Sequence, residues 1–317
     1  MDQQRPPFTT AQAADLGYRP QDLTDAVRAG ELLRPFHGVY LPAGTELTVP
    51  LRARLLGLVT PADAVLADRT AAWVRGCDLS DFNAPTPTAP IDTLVARGRS
   101  PIRRPGVRSR SAELPAGDVE PIEGVLVTTP ARTAADLARL AREGWGLAAV
   151  DSFLRSGTTT REAIAEILAR YPGDRGVARG RDNAEWGDAG AESVMESWSR
   201  WRLLIVGLPR PRTQVPLMTA AGPVRIDMGY EDLQTGVEYD GDEFHDHRVG
   251  GPDHRRLLGI AGEGWGISVL GSAQVLGRRP TAALEVSTQM MMRGWRPDDR
   301  TQRNLEELAR RCRWDGA

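Results

Sequence analysis

The last third of the chain alternates helix-like and strand-like segments in an order that few folds accommodate. A helix-like segment, AESVMESWSRWRLLIVG, comes before three β-like runs, which are RTQVPLMT, PVRIDMGY and QTGVEYDG. A second helix-like segment, GPDHRRLLGIAGEG, and a final β-like run, WGISVLG, follow. Apolar residues at helical spacing indicate the helices, and short runs rich in β-branched residues indicate the strands. The sequence therefore predicts an αβββαβ domain followed by closing helices.

Acidic side chains fall at matching points of this predicted domain. Glu238 and Asp240 lie two residues apart in the third strand, so they share one face of it. Asp227 lies in the second strand, and an antiparallel neighbour would bring it beside Glu238. Converging carboxylates repel each other unless a cation joins them, and hard oxygen ligands suit Mg²⁺ or Mn²⁺. We therefore predict a metal site at Asp227, Glu238 and Asp240.

Histidines cluster just after these carboxylates. Three of the four histidines in the chain, His245, His247 and His254, fall within ten residues. A histidine beside a metal can activate water or protonate a leaving oxygen, and we predict that role for His245. The alternative for any single histidine is an ordinary surface-loop position. The predicted catalytic set consists of Glu196 on the opening helix, Asp227, Glu238, Asp240 and His245.

This region resembles the very-short-patch-repair-like endonuclease domain of the PD-(D/E)XK, restriction-endonuclease-like superfamily. The resemblance covers about residues 190–295, on the segments AESVMESWSRW, VRIDMGY, GVEYDGDEFH, PDHRRLL and GWGISVL. It implies a metal-dependent DNA endonuclease, and it places Arg256 where it would hold a phosphate or support the fold. Asp240 stands where the superfamily motif ends in lysine. Either His245 or a second metal must then supply the missing charge, or the domain is inactive.

The N-terminal 48 residues predict a winged helix-turn-helix. Thr9 and Gln12 fit a capping box that opens the helix AQAADL, and RPQDLTDAVRAG predicts a second helix. ELLRPFHGVYLPAG then predicts two short strands around a turn. In such a unit the second helix reads the major groove of DNA. The candidate contacts are Arg19, Gln21, Asp25 and Arg28. The alternative is a small helix pair that binds protein or nothing.

The segment from Phe8 to Gly44 is similar to the winged-helix domain of AbiEi-family antitoxins. TTPARTAADLAR resembles a stretch in the middle part of those proteins. The resemblance implies DNA binding and a cognate toxin as a protein partner. It also gives an alternative function for the whole chain, namely an antitoxin or transcriptional regulator with a catalytically inactive nuclease-like tail.

Between these ends the sequence predicts a mixed α/β domain over residues 49–172 and a linker over 173–190, which is rich in glycine and charge. The fold class is therefore α/β (α+β), with the endonuclease-like domain at 191–317. The segment RGRSPIRRPGVRSR carries six arginines and no acid. We interpret it as a phosphate-contacting hairpin in which Arg103 and Arg104 bind DNA, with a solvated loop as the alternative.

Composition narrows the remaining choices. All 40 basic residues are arginine, and the net charge of −2 argues against a uniformly basic DNA coat. No apolar run approaches the length of a membrane span, and the N-terminus lacks the apolar core of a signal peptide. We therefore expect a cytoplasmic protein without a membrane partner. Cys77 and Cys312 should be free thiols. Cutting of a duplex by one active site per chain would favour a homodimer.

Overall fold

The computed structural model describes residues 6–77, 79, 90–240 and 251–313 of the chain. The chain divides into two compact units, residues 1–137 and 138–317. The described residues form a mixed α/β structure with sheets of three, five and four strands, which confirms the predicted fold class. Within those residues, no helix combines the length and the apolar character needed to cross a membrane. Cys77 is buried, and both cysteines are free thiols, as predicted.

The first unit begins with the elements of a winged helix. Its elements are β1 (Phe8–Thr9), α1 (Thr10–Ala13), α2 (Pro20–Arg28), β2 (Leu32–Phe36) and β3 (Val39–Pro42). The strands form an antiparallel sheet in the order β1-β3-β2. The core of this part buries Phe8, Leu23, Leu32 and Tyr40 between the helices and the sheet. The order of helix, helix and β-hairpin is the predicted one.

The predicted capping box at Thr9 is present. The Thr9 Oγ1 accepts the N–H of Gln12 at 3.3 Å, and the Gln12 side chain accepts the N–H of Thr9 at 2.9 Å. The helix is shorter than AQAADL, because the N–H of Leu16 bonds the carbonyl of Ala13 only three residues back. Tight bonds of this kind end an α-helix, and Gly17 follows with a φ of +82°.

A five-stranded mixed sheet forms the rest of the first unit. Its elements are α3 (Val49–Gly57), β4 (Val65–Leu66), α4 (Asp68–Val74), β5 (Ile91–Ala96), β6 (Val107–Ala112), β7 (Val119–Ile122) and β8 (Val125–Thr128). The strand order is β6-β5-β4-β8-β7. Strands β5 and β6 run parallel, so the arginine-rich segment between them is a crossover and the predicted hairpin is wrong. Parallel neighbours need a connection that returns along the sheet, which a tight turn cannot provide.

Four helices follow, and one of them lies where the sequence predicted a linker. They are α5 (Pro130–Leu140), which contains the boundary between the units, α6 (Trp145–Arg155), α7 (Arg161–Ala169) and α8 (Val177–Trp186). Asn183 on α8 is fully buried and donates to the carbonyl of Ala138 at 2.8 Å. A Cβ at Gly180 would come within 2.8 Å of Leu168. The glycine that suggested a flexible linker instead allows close helix packing, so the linker prediction is wrong here.

The remaining elements have the predicted αβββαβ order. They are α9 (Val194–Val206), β9 (Arg212–Thr219), β10 (Gly222–Tyr230), β11 (Thr235–Tyr239), α10 (Pro252–Gly262) and β12 (Gly266–Leu270), then α11 (Ser272–Leu276), α12 (Ala282–Met292) and α13 (Asp299–Arg313). The sheet order is β12-β11-β10-β9, with β11 and β12 parallel and the other pairs antiparallel. Ile226, Ile260 and Trp265 pack together in the core that joins α10 to the sheet.

Candidate functional site

The carboxylates predicted on neighbouring strands do meet. Met228 on β10 pairs with Val237 on β11, so the next step of this antiparallel register sets Asp227 opposite Glu238. The Oδ2 of Asp227 accepts the backbone N–H of Tyr239 at 3.1 Å. Side chains directly opposite each other on antiparallel strands lie on the same face of the sheet. The strand pairing therefore produces the predicted juxtaposition of Asp227 and Glu238.

The environment of Asp227 raises the pKa of its carboxyl group above the ordinary value. Burial raises the pKa of Asp227 to about 6, the N–H of Tyr239 opposes that rise, and the charges of Glu196 and Glu238 add to it. The guanidinium of Arg256 acts in the opposite direction and lowers the pKa. These mutual effects bring Glu196, Asp227, Glu238 and Arg256 into one electrostatic cluster, which we call the carboxylate cluster.

Glu196 joins this cluster from the first turn of α9. Its own N–H is accepted by Ser193 Oγ at 3.0 Å, while its Oε2 accepts the N–H of Glu192 at 2.9 Å. The first bond caps the helix at Ser193, and the second ties the residue before the cap to the first turn. Only 8% of Glu196 is exposed, and burial raises its pKa while the Glu192 N–H opposes that shift. The predicted catalytic glutamate therefore also has a local structural role.

Gln214 is a member of this site that sequence reasoning missed. Its Nε2 donates to Glu196 Oε2 at 3.1 Å. The pairing of Val215 with Ile226 and of Thr213 with Met228 places Gln214 across from Asp227. Its φ of +50° is a left-handed value that is uncommon for a residue other than glycine. A single glutamine in a strand carries no sequence signal for such a backbone, so it could not have been found in advance.

Arg256 pairs with Glu238 through both carboxylate oxygens. Its Nη1 lies 2.7 Å from Oε1, and its Nη2 contacts Oε2. Glu238 is 6% exposed, whereas about a third of the Arg256 side chain (34%) faces solvent. Arg256 was predicted to bind DNA, with support of the fold as the equal alternative. The structure places its guanidinium on a buried carboxylate, which favours that alternative.

The described residues do not fit a divalent metal in this arrangement. Among them, no set of three His, Cys, Asp or Glu side chains is placed to hold a metal ion. A guanidinium already engages both oxygens of Glu238. Asp240 directly follows β11, where its backbone N–H donates to the carbonyl of Leu270 at 2.9 Å, a bond that does not involve its carboxylate. His245 lies outside the described residues. The metal site at Asp227, Glu238 and Asp240 therefore stays a prediction.

The predicted DNA contacts of the winged helix lie at the surface. Gln21 is exposed, and the side chain of Arg28 is 79% exposed. Arg19 is also exposed, but it caps α2 and bonds the carboxylate of Asp22 at 2.9 Å. That ion pair raises the pKa of Arg19 and lowers the pKa of Asp22. Arg28 also has an acidic neighbour, since its Nη1 lies 3.9 Å from Asp25 Oδ1, but this contact is longer than the 2.9 Å pair of Arg19 with Asp22. Gln21 and Arg28 are therefore held less tightly than Arg19 and are more available to DNA.

The six arginines between residues 97 and 110 separate into two groups. Arg103 and Arg104 are exposed, and Arg104 donates to the carbonyl of Val59 at 3.1 Å. The other four form ion pairs with acids elsewhere in the unit: Arg97 with Glu113, Arg99 with Asp63, Arg108 with Asp92, and Arg110 with Asp68 and Asp136. The segment contains no acid of its own, but acids from other parts of the first unit neutralise four of its six arginines.

Comparison with known families assigns two parts of the chain. Residues 2–43 match the family "Transcriptional regulator, AbiEi antitoxin", and residues 63–182 match "AbiEi antitoxin C-terminal domain". The chain is also 32% identical over 226 residues to uncharacterized protein Rv2248 of Mycobacterium tuberculosis strain ATCC 25618 / H37Rv. The same figures hold for uncharacterized protein MT2308 of strain CDC 1551 / Oshkosh. The aligned region spans 71% of this chain and 79% of each relative. The chain belongs to the family of these mycobacterial proteins and carries AbiEi antitoxin domains.

The AbiEi matches support the resemblance read from the N-terminal and middle segments. They leave residues 183–317 unassigned, so the endonuclease-like interpretation of that region depends on its topology and residues alone. A solved structure, that of RV2827C protein from Mycobacterium tuberculosis, aligns with 61% of this chain and 72% of its own. The TM-score of 0.30 and the identity of 17% are too low to say anything about the fold of this chain.

Proposed function

We propose that the protein is a DNA-binding regulator of the AbiEi antitoxin type. The single observation that carries this proposal is the AbiEi regulator match over residues 2–43, which coincides with a winged-helix order of elements. The helix α2 buries Leu23 and Ala26 and leaves Gln21 and Arg28 at the surface. A helix held in this way can enter the major groove with its outer face.

A band-shift measurement tests this proposal. The probe is a duplex from the promoter of the gene that encodes the protein, and the variants are Gln21→Ala and Arg28→Ala. We expect retardation by the native chain, and a weakening of at least about fivefold for Arg28→Ala, since one lost contact costs about 1–3 kcal/mol. The matched control is Arg54→Ala on α3, whose side chain is 58% exposed. Equal binding by Arg28→Ala and Arg54→Ala would contradict the assignment of α2 as the reading helix.

The same family membership supports a cognate toxin as the protein partner. Antitoxins act by restraining a toxin, and the match to the AbiEi antitoxin C-terminal domain spans residues 63–182. Co-expression with the product of a neighbouring gene, followed by co-purification, tests this partner. A growth-inhibiting neighbour that this chain neither binds nor restrains would exclude the antitoxin role and leave the regulator role standing.

A second candidate is an endodeoxyribonuclease located in residues 191–317. Two observations favour it, namely the αβββαβ order and the convergence of Glu196, Asp227 and Glu238. This candidate requires Arg256 to release Glu238 before a Mg²⁺ or Mn²⁺ ion could bind there. Nicking of supercoiled plasmid by the native chain, and its loss in the Asp227→Ala, Glu238→Ala double variant, would support it. Equal nicking by both proteins would indicate a contaminant.

A further inference from the structure

A pocket with a volume of about 380 Å³ lies between α9, α12 and α13, wholly within the second unit. Proteins commonly bind small ligands in cavities of roughly 300–1,000 Å³. None of the residues that line this pocket belongs to the carboxylate cluster, so the pocket is a separate place on the molecule. Its construction and its charge indicate what it could bind.

Two helices that hold each other in place form the walls of the pocket. Asn304 on α13 donates from its Nδ2 to the carbonyl of Val206 at 2.9 Å, and Thr301 donates to the carbonyl of Gly207 at 3.1 Å. These bonds fix α13 against the end of α9. The lining residues of α13 follow one another at spacings of three and four, which places them along one face of the helix. They include Asn304, Glu307, Leu308 and Arg311.

Part of the lining is apolar. Trp201 and Ala283 are buried there, whereas Leu308 is half-buried and Ile205 is 50% exposed. Covering exposed apolar surface with an apolar group is favourable, because that surface then leaves water. This part of the pocket is therefore complementary to the hydrocarbon or aromatic part of a ligand.

The charged part of the lining is mostly arginine. One acid, Glu307, stands against four arginines, and it is already paired with one of them. The four are Arg202, Arg278, Arg279 and Arg311. In the whole chain, by contrast, 42 acidic residues accompany 40 arginines. The lining therefore concentrates positive charge in a concave place, which attracts negatively charged ligands.

Two of these arginines differ in how they are held. The guanidinium of Arg202 lies 5.0 Å from the ring centroid of Trp201, and its Nε donates to the carbonyl of Val275 at 2.7 Å. Arg278 is exposed, and no acid among the described residues pairs with it. A guanidinium forms strong charge-assisted hydrogen bonds with carboxylate, sulfonate or phosphate oxygens. Arg278 is thus available for such bonds beside a wall that Arg202 keeps rigid.

These features favour a small anion over a nucleic acid strand. Stacking of a base needs an open aromatic face, but Trp201 is 5% exposed and already carries the guanidinium of Arg202. A phosphate backbone also has no apolar part to cover Ile205. We propose that the pocket binds a small organic anion, with its apolar body on Ile205 and Leu308 and its acidic group at Arg278.

Fluorescence titration of the full chain with anilinonaphthalene sulfonate tests the proposal. This probe joins aromatic rings to one sulfonate, and phenylnaphthylamine is its neutral analogue. We expect one saturable site in the native chain, and binding at least about tenfold weaker in Arg278→Gln, Arg279→Gln, since charge-assisted hydrogen bonds are lost. The neutral analogue should bind the native chain more weakly by a similar factor. The control Arg303→Gln, Arg310→Gln removes the same charge from exposed positions of α13 outside the pocket and should bind like the native chain.

Cys312 provides a second readout, because it lines the pocket. Cys77, the other cysteine of the chain, is buried, so iodoacetamide should alkylate mainly Cys312 in the folded protein. A saturating concentration of the sulfonate probe should slow this alkylation at least about threefold, since a bound ligand blocks access to the thiol. Mass spectrometry measures the modification. The protection should disappear in Arg278→Gln, Arg279→Gln.

Four results would overturn the proposal: no saturable binding, equal binding by the native chain and the Arg278→Gln, Arg279→Gln variant, equal binding of the neutral analogue, or binding that leaves alkylation of Cys312 unchanged. A promoter duplex that displaces the probe, and that binds this variant more weakly, would show instead that these arginines contact DNA. Both arginines are exposed, and circular dichroism checks that the variants are folded. The readouts concern the second unit, so their failure leaves the regulator proposal unaffected.

Discussion

Arg200 and Asp151 form an ion pair that is fully buried in the second unit. The Nη1 of Arg200 lies 2.5 Å from Asp151 Oδ2, and its Nη2 donates to the carbonyl of Trp186 at 2.6 Å. Burial raises the pKa of Asp151, and the Arg200 charge opposes that rise. Asp151 lies on α6 and Arg200 on α9, so the pair joins the helices to the αβββαβ part.

Breaking this pair on one side should strongly destabilise the second unit. Asp151→Asn leaves a buried guanidinium without its charge partner, and we expect a loss of about 3–5 kcal/mol in the free energy of unfolding. Replacement of both side chains, as in Asp151→Leu with Arg200→Met, should recover part of that loss. Urea unfolding followed by circular dichroism measures it. The control is Asp182→Asn, an exposed carboxylate on α8. Equal effects of Asp151→Asn and Asp182→Asn would contradict the expectation.

A second buried pair of contacts should stabilise the first unit. Arg132 is fully buried and bonds Asp118 at 2.7 Å and Asp136 at 2.8 Å. Arg132→Met leaves two buried acids short of a cation, and we expect a loss of about 3–5 kcal/mol by urea unfolding. Arg97→Met should cost less than about 1 kcal/mol, since the Arg97 side chain is 70% exposed. An effect at Arg132 as small as that at Arg97 would contradict the expectation that this buried arginine stabilises the first unit.

Asp188 should make the stability of the second unit depend on pH. Burial acts to raise its pKa, but the N–H of Gly190, the charge of Arg200 and the hydroxyl of Thr213 outweigh it, and the net pKa is lowered. A lowered folded pKa contributes stability above the unfolded value, which is lost as pH falls. Asp188→Asn should therefore melt at a lower temperature at pH 7. The gap between the two melting temperatures should narrow below about pH 4. A difference in melting temperature that widens as the pH falls would contradict this expectation.

Alanine substitutions at two glycines should distinguish the cost of backbone strain from the cost of a steric clash. Gly207, just after α9, has a φ of +105°, and a Cβ there would lie 2.6 Å from Thr301 Oγ1. Gly294, just after α12, has a φ of +96° but nothing within 4 Å of its Cβ position. Gly294→Ala should cost about 1–2 kcal/mol from the backbone alone. Gly207→Ala should cost about 1 kcal/mol more, and equal costs would mean that Thr301 moves aside freely.

The sequence predicts the carboxylate pair because strand alternation and antiparallel pairing act locally. Asp227 and Glu238 needed only the correct strand register to meet. The sequence could predict that Arg256 lies near the site, but not that it pairs with Glu238. That pairing requires the rotation of α10 about its axis, which depends on how Ile260 packs against the sheet. Tertiary packing of this kind leaves no local pattern. Gln214 was missed for the same reason, since its bond to Glu196 depends on how α9 packs beside β9.

The linker and hairpin predictions are wrong because both were made from the residue composition of a short segment alone. Glycine and charge between residues 173 and 190 indicated flexibility, yet Gly180 is there for close contact and Asn183 is buried. The arginine-rich segment was interpreted in isolation, but its partners Asp63, Asp68 and Asp92 come from elements up to 42 residues earlier in the chain. Contacts so distant in sequence cannot be read from the segment itself.

The burial of α8 affects how this protein can be dissected. A truncated protein starting at residue 191 would keep the αβββαβ order but lose Asp151, Trp186 and Asp188, which surround Arg200 and the start of β9. Such a fragment would carry a bare guanidinium in its interior and would aggregate or melt early. A failed nuclease or metal assay on it would then report damage to the fragment rather than a property of the domain. The separate functions proposed for the winged helix and for residues 191–317 should therefore be tested by point variants in the 317-residue chain.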